Sequence, residues 1–178
     1  MADMANLADV TRCWNELLEN SDLKDPISRK NPDSPAPENE NYLIPVTYMN
    51  SSAALKAFVG EHGGIVCTSS NAEGILNWAF ERAGKNGKVL FFPDQHLGRN
   101  TGLAMGIPIE KMTTWTPGEE KDELGWRQIN DSRLILWHGF CSVHKRFTVE
   151  QINQFRLENP EGIVVVHPEC PRETVDAS

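Results

Sequence analysis

The feature that most restricts this chain is an alternation. Short, continuously apolar runs rich in β-branched residues occur at 42–48, 64–67, 88–92, 133–137 and 162–166. Between them lie segments whose apolar residues recur every three or four positions: 53–59, a stretch carrying Ile75, Leu76, Ala79, Phe80 and Ala83, and one carrying Val149, Ile152 and Phe155. A strand that is apolar at every position is buried on both faces, and a strand–helix alternation builds a parallel sheet whose crossover helices supply that cover. The expected fold is therefore α/β, an open three-layer αβα sandwich with a mostly parallel sheet.

Local signals refine the boundaries. Met4, Leu7, Val10, Trp14, Leu17 and Leu18 form one helical face, so residues 3–19 read as an amphipathic helix with Asp3 as its cap and Asn20-Ser21-Asp22 as its end. Residues 1–20 are read as that helix docking on the sheet. Pro26, Pro32, Pro35 and Pro37 make 21–41 a surface excursion, since proline removes donors and fixes φ. Gly84 stops one helix, and Thr148 with Gln151 forms a capping box at the start of another. The acidic stretch 116–131 reads as a solvated loop or short helix. Residues 42–144 then form one αβα domain, and 145–178 the start of a following one.

Charge narrows the partners. With 17 Lys and Arg against 25 Asp and Glu the net charge is −8, and the pI is near 5.1. Such a chain lacks the basic face that nucleic acid or anionic lipid requires. No apolar run approaches the roughly 20 residues of a membrane span, and the first residues lack the basic-then-apolar layout of a signal peptide. A cytoplasmic setting is expected, and Cys13, Cys67, Cys141 and Cys170, with no CxxC pair, read as free thiols or ligands.

In parallel α/β sheets ligands bind beyond the carboxyl ends of the strands, beside helix N-termini. The residues just past each strand run are Tyr48 to Ser52, Thr68 to Asn71, Pro93 to His96, His138 to His144 and His167 to Cys170. Four of the five histidines fall in these loops (His96, His138, His144 and His167), where ordinary turns would carry Gly, Asp and Lys. Several chemistries fit. Ser51-Ser52 and Ser69-Ser70-Asn71 could hold a carboxylate or phosphate, or simply cap helices. His138, Cys141, His144 and His167 could form a zinc site of hydrolytic type. Cys141 beside His144 could be a thiolate–imidazole pair. Pro93 to Asn100 reads as a rigid surface turn, and His167-Pro168-Glu169 as a strand end or an acid/base pair.

At these loops the chain resembles the quinolinate synthase family. The stretches that carry the likeness are 45–53 (PVTYMNSSA), 68–72 (TSSNA), 92–100 (FPDQHLGRN), 137–144 (WHGFCSVH) and 167–171 (HPECP), five motifs in order over about 42–171. Met1 to Met4 is also similar to the stretch after the family's first cluster cysteine.

The resemblance implies an enzyme that condenses iminoaspartate with dihydroxyacetone phosphate to quinolinate in NAD biosynthesis. It implies three similar αβα domains around a 4Fe–4S cluster held by one cysteine from each, with the fourth iron open as a Lewis acid. By resemblance Cys141 is the middle cluster ligand, and Tyr48 and Asn50 are the substrate-site pair. Ser69 binds a substrate carboxylate, and His167 contacts the substrate with Glu169. Glu169 is the acid/base, assisted by Tyr48; Cys67 and Cys170 are not ligands. The pathway neighbour that makes iminoaspartate would be L-aspartate oxidase or aspartate dehydrogenase. The other two cluster cysteines would fall before Met1 and after Ser178. The chain therefore reads as a middle domain plus the beginning of the next, and alone it is expected to hold no stable cluster and make no quinolinate. The excursion at 26–40 is longer than the family needs and is assigned no role. The competing readings are a non-catalytic αβα module for an anionic metabolite and the zinc hydrolase above.

Overall fold

A computed structural model describes residues 4–29, 31 and 34–178. Five strands form one sheet: β1 (Leu43–Tyr48), β2 (Ile65–Cys67), β3 (Lys88–Phe92), β4 (Met112–Trp115) and β5 (Leu134–Trp137). Their order is β2-β1-β3-β5-β4 and every pairing is parallel. β1, β3 and β5 are buried along their whole length, which is why they are apolar at every position rather than at alternate ones.

The two-residue period of a strand sends neighbours to opposite faces, and this divides the core in two. Leu43, Leu90, Phe92, Ile135 and Trp137 pack with α1 (Leu7–Glu19), α2 (Ala53–Glu61) and Ile129 of α5 (Glu123–Asp131). Ile44, Val46, Tyr48, Val89, Phe91, Leu134 and Leu136 pack on the other face against α3 (Ala72–Ala83) and Leu97 of α4 (Gln95–Ala104). The architecture is the expected three-layer αβα sandwich. Two short helices follow, α6 (Val149–Glu158), opened by the Thr148–Gln151 capping box, and α7 (Arg172–Asp176). Gly84 ends α3 with φ at 87°, a conformation open to glycine.

Several expectations are corrected. α1 begins at Leu7, capped by Asn6, whose side chain accepts from the Asp9 N–H; Asp3 lies outside the described residues. Lys30, Pro32 and Asp33 also lie outside them, and the described part of the excursion is tied down by hydrogen bonds from Lys24 to Asn41 and from Ala36 to Glu81. The acidic stretch, by contrast, meets its expectation in part: residues 123–131 are the short helix α5, capped by Asp122. The run 162–166 forms no strand: Ile163 and Val165 are each 86% exposed, because this run meets no partner strand. Residues 93–100, expected as a turn, instead enter α4, capped by Asp94. That helix holds Gly98 and Gly102, weak helix formers, for a reason of space. A Cβ at Gly98 would sit 2.6 Å from Leu136, and one at Gly102 would sit 2.7 Å from Met112. Glycine lets α4 lie directly on the sheet.

Candidate active site

β1 lies between β2 and β3, so after β2 the chain returns across β1 to lay down β3. That reversal opens a crevice at the carboxyl ends of β1 and β3, the position where such sheets bind ligands. Tyr48 closes β1 and Asp94 follows β3 by two residues. Tyr48 is buried on the α3 and α4 face. Burial raises its phenol above the usual range and the Glu169 carboxyl adds to this, while a hydrogen bond from Ser69 works the other way. These contacts put the ends of β1, β2 and the 167–170 loop within reach of one another.

The serines divide into two kinds. Ser52 is a plain cap for α2, its hydroxyl accepting from the Leu55 N–H at 3.3 Å. Ser69 is not a cap. The N-cap position of α3 belongs to Asn71, whose side chain turns back to accept from the Thr68 N–H (2.7 Å) and hydroxyl (3.0 Å). The first N–H groups of α3 are thus left without a side-chain cap, beside Ser69 and Tyr48. Asn50 is exposed two residues past Tyr48.

Asp94 organises the centre. Its Oδ1 accepts the Leu97 N–H at 2.7 Å, and the carboxylate also draws on the N–H groups of His96 and Cys141. The Cys141 loop is pinned a second time, because Gly139 lies so close to the Pro93 carbonyl that a Cβ would be 2.0 Å from it, and its own carbonyl accepts from Gln95 at 2.9 Å. Burial pushes Asp94 up to about 6 against those three donors. Burial pushes Glu169 up to about 7, with the Asp94 charge contributing. Glu169 therefore senses the Asp94 charge.

Glu169 is 1% exposed. One of its oxygens lies 3.2 Å from His144 Nδ1 and 3.4 Å from His167 Nδ1. The rings of His144 and His167 stack at 4.5 Å. His167 Nδ1 accepts the Glu169 N–H at 3.2 Å, which assigns its proton to Nε2. Burial lowers both histidines while it raises Glu169, so near neutral pH uncharged imidazoles face a half-protonated acid rather than an ion pair. Cys141, His144 and Glu169 each bring a ligating atom within 4.8 Å of the other two. Among the described residues Glu169 Oε1, His144 Nδ1 and Asp94 Oδ2 are buried with no hydrogen-bond partner. Buried polar atoms without partners are costly and rare, and a cluster of them marks a place built for something else.

The sequence-derived candidates are thus mostly brought together. Tyr48, Ser69, Cys141, His144, His167 and Glu169 share one end of the sheet. His138 does not join the metal-type group: it is exposed, and its Nδ1 lies 3.1 Å from the Thr116 hydroxyl. The converging donor set is Cys141, His144 and Glu169, not the quartet with His138 and His167. Cys13, Cys67 and Cys170 are free thiols, each buried, with Cys67 pushed up to about 12 by desolvation. Asp94 and Asn100 both lie in the 92–100 motif but were given no role. An acidic residue three positions before an apolar Leu97 is a capping pattern that could have assigned the first; the partners of the second appear only in the fold.

Fold and site together define an α/β domain that presents a thiol, two imidazoles and two raised carboxyls at its topological switch point. The family described as "Quinolinate synthetase A protein" matches residues 1–178, and the chain belongs to it. The chain is 54% identical to the quinolinate synthase of Corynebacterium glutamicum over 178 residues, which covers 100% of this chain and 40% of that protein. It is 49% identical to that of Rhodopirellula baltica, covering 99% of this chain and 40% of the relative. It is 44% identical to that of Streptomyces coelicolor, again over 40% of the relative. The chain thus spans about two fifths of the length of the curated relatives it matches. No helix of the described residues is long and apolar enough to cross a membrane.

Proposed function

We propose that this chain supplies the middle domain and the start of the next (42–144 and 145–178) to a quinolinate synthase. In that enzyme iminoaspartate and dihydroxyacetone phosphate condense to quinolinate while phosphate and water leave. The observation that carries the reading is the convergence of Tyr48, Ser69, Cys141 and Glu169 on one crevice, in a chain whose relatives bear that name.

The residues fit one corner of a 4Fe–4S cluster. Cys141 offers a soft sulfur ligand, and a ligating atom of His144 and one of Glu169 lie within 4.8 Å of it and of each other. The three other cysteines are buried, so this chain would give one ligand, with the rest coming from the remainder of the longer protein. Such a cluster, when bound, supplies an open iron as a Lewis acid. The remaining work belongs to the side chains. Ser69 and the uncapped N–H groups of α3 suit a substrate carboxylate. Asn50 is assigned to the substrate beside them. Tyr48, held neutral by burial, donates a hydrogen bond to a developing oxyanion. Glu169, poised near 7, takes a proton from carbon in enolisation and returns one to a departing hydroxyl in dehydration. His167 directs its Nε2–H to the substrate because its Nδ1 is occupied. A cytoplasmic setting, with a partner enzyme that makes iminoaspartate, completes the proposal; its reducing conditions suit four free thiols.

The test is quinolinate formation by the complete enzyme containing this segment, reconstituted anaerobically. Activity is expected in the wild type and lost in Cys141→Ser and Glu169→Gln; full activity in either variant overturns the assignment. The 178-residue chain alone is expected to hold no stoichiometric cluster and to make no product, and iron and sulfide analysis giving about four of each per chain would refute that.

A further inference from the structure

Glu169 sits in a loop whose nearest hydrogen bonds are local. Its own N–H goes to His167 Nδ1 at 3.2 Å, and the Cys170 N–H goes to the His167 carbonyl at 2.9 Å. Neither bond ties the loop to the αβα domain. The Asn100 side chain does. Asn100, on α4 and 9% exposed, donates from Nδ2 to the Pro168 carbonyl at 2.8 Å and to the Cys170 carbonyl at 2.9 Å. These are the carbonyls immediately before and after Glu169, and both protons of one planar amide are spent on them. The start of α4 is capped by Asp94, which draws on the Cys141 N–H. A single helix therefore holds the Cys141 loop at its start and the Glu169 loop more than a turn later.

We infer that Asn100 is a positioning residue: its amide clamps the backbone on both sides of Glu169 and so fixes that carboxyl relative to Cys141 and Tyr48. The inference rests on the reading of Glu169 as the acid/base. Asn suits the role because a carboxylate of the same shape has no proton for either carbonyl, and an alanine leaves both buried acceptors unpaired. A displacement of about an ångström in a reacting group costs on the order of 100-fold in turnover.

The test compares Asn100→Asp and Glu169→Gln. In the 178-residue chain, hydrogen exchange of the Glu169 and Cys170 amides is expected to rise about tenfold or more in Asn100→Asp, with the sheet amides unchanged. In the complete enzyme, kcat is expected to fall about 100-fold with KM nearly constant. Should Asn100→Asp not fold, Asn100→Ser is measured in the same two ways. If Glu169→Gln is inactive while the Asn100 variants keep wild-type kcat and local exchange, the inference is overturned and the reading of Glu169 stands. A rise in exchange spread evenly over the sheet also overturns it, since Asn100 would then serve general stability. If Glu169→Gln is fully active, the reading of Glu169 fails and the inference falls with it.

Discussion

The two ends of the same sheet each bury ionisable side chains, and they treat them differently. At the amino end Lys88, the first residue of β3, is 4% exposed, and its ammonium donates to the carbonyls of Asn130 (2.7 Å) and Ser132 (2.6 Å). Burial lowers it to about 8, yet its ammonium has two carbonyl acceptors; Arg133 at the same end, also lowered by burial, leaves a single atom, Nε, unpartnered among the described residues. At the carboxyl end Asp94 and Glu169 are equally buried and shifted upward, but Asp94 Oδ2, Glu169 Oε1 and His144 Nδ1 lack partners among the described residues. A perturbed group alone does not mark a site. Several perturbed groups that gather at one strand end with bonding capacity unused do.

The contrast can be broken in order of effect. Glu169→Gln should lower turnover of the complete enzyme by about 10²–10⁴-fold, while Lys88→Met, equally buried, should leave it within about twofold; equal losses in steady-state assays would erase the difference between the ends. Asp94→Ala removes the cap of α4 and the acceptor for Cys141, and should cost about 1–3 kcal/mol in urea unfolding. Unchanged stability there would remove Asp94 from its organising place.

Lys88 gives a pH test with a defined sign. Between its folded value of about 8 and its ordinary 10.5 the unfolded chain holds a proton that the folded chain does not. Its contribution to stability therefore rises with pH across that window, by up to about 3 kcal/mol. Cys13, Cys67 and Tyr48 are shifted upward and act in the opposite sense, so the quantity to follow is wild type minus Lys88→Met. That difference should grow from pH 8 to 10.5 in thermal unfolding; a flat difference would show that Lys88 is not desolvated. The smallest effect separates the serines. Ser52→Ala should cost about 1 kcal/mol as a lost cap, whereas Ser69→Ala should stay within about 0.5 kcal/mol; matching losses would make Ser69 structural.

How much of this was readable follows from what each signal depends on. β1, β3 and β5 were legible because burial on both faces demands continuous apolar residues. The run 162–166 carries the same signal and yet Ile163 and Val165 stay 86% exposed, where Ile44 and Val46 of β1 are 0% exposed. Apolar, β-branched sequence states a readiness to pair, and a strand forms only where a neighbour supplies the other half of the ladder. β4 passed unnoticed because its residues, Met112 to Trp115, make no apolar run at the sheet edge. α4 was hidden by Gly98 and Gly102, whose value lies in contact with Leu136 and Met112, which local propensity cannot register. The strand-end loops announced themselves by residue type. The roles of Asp94 and Asn100 depend on segments tens of residues away and became visible only with the fold.

Iron-edge anomalous diffraction from crystals of the complete, anaerobically reconstituted protein tests the convergence at its source. The strongest peaks should lie within bonding distance of Cys141 Sγ, in the crevice bounded by Tyr48, Ser69 and Glu169. Iron bound instead at Cys13, Cys67 or Cys170, or none beside Cys141 in a catalytically active crystal, would contradict the account.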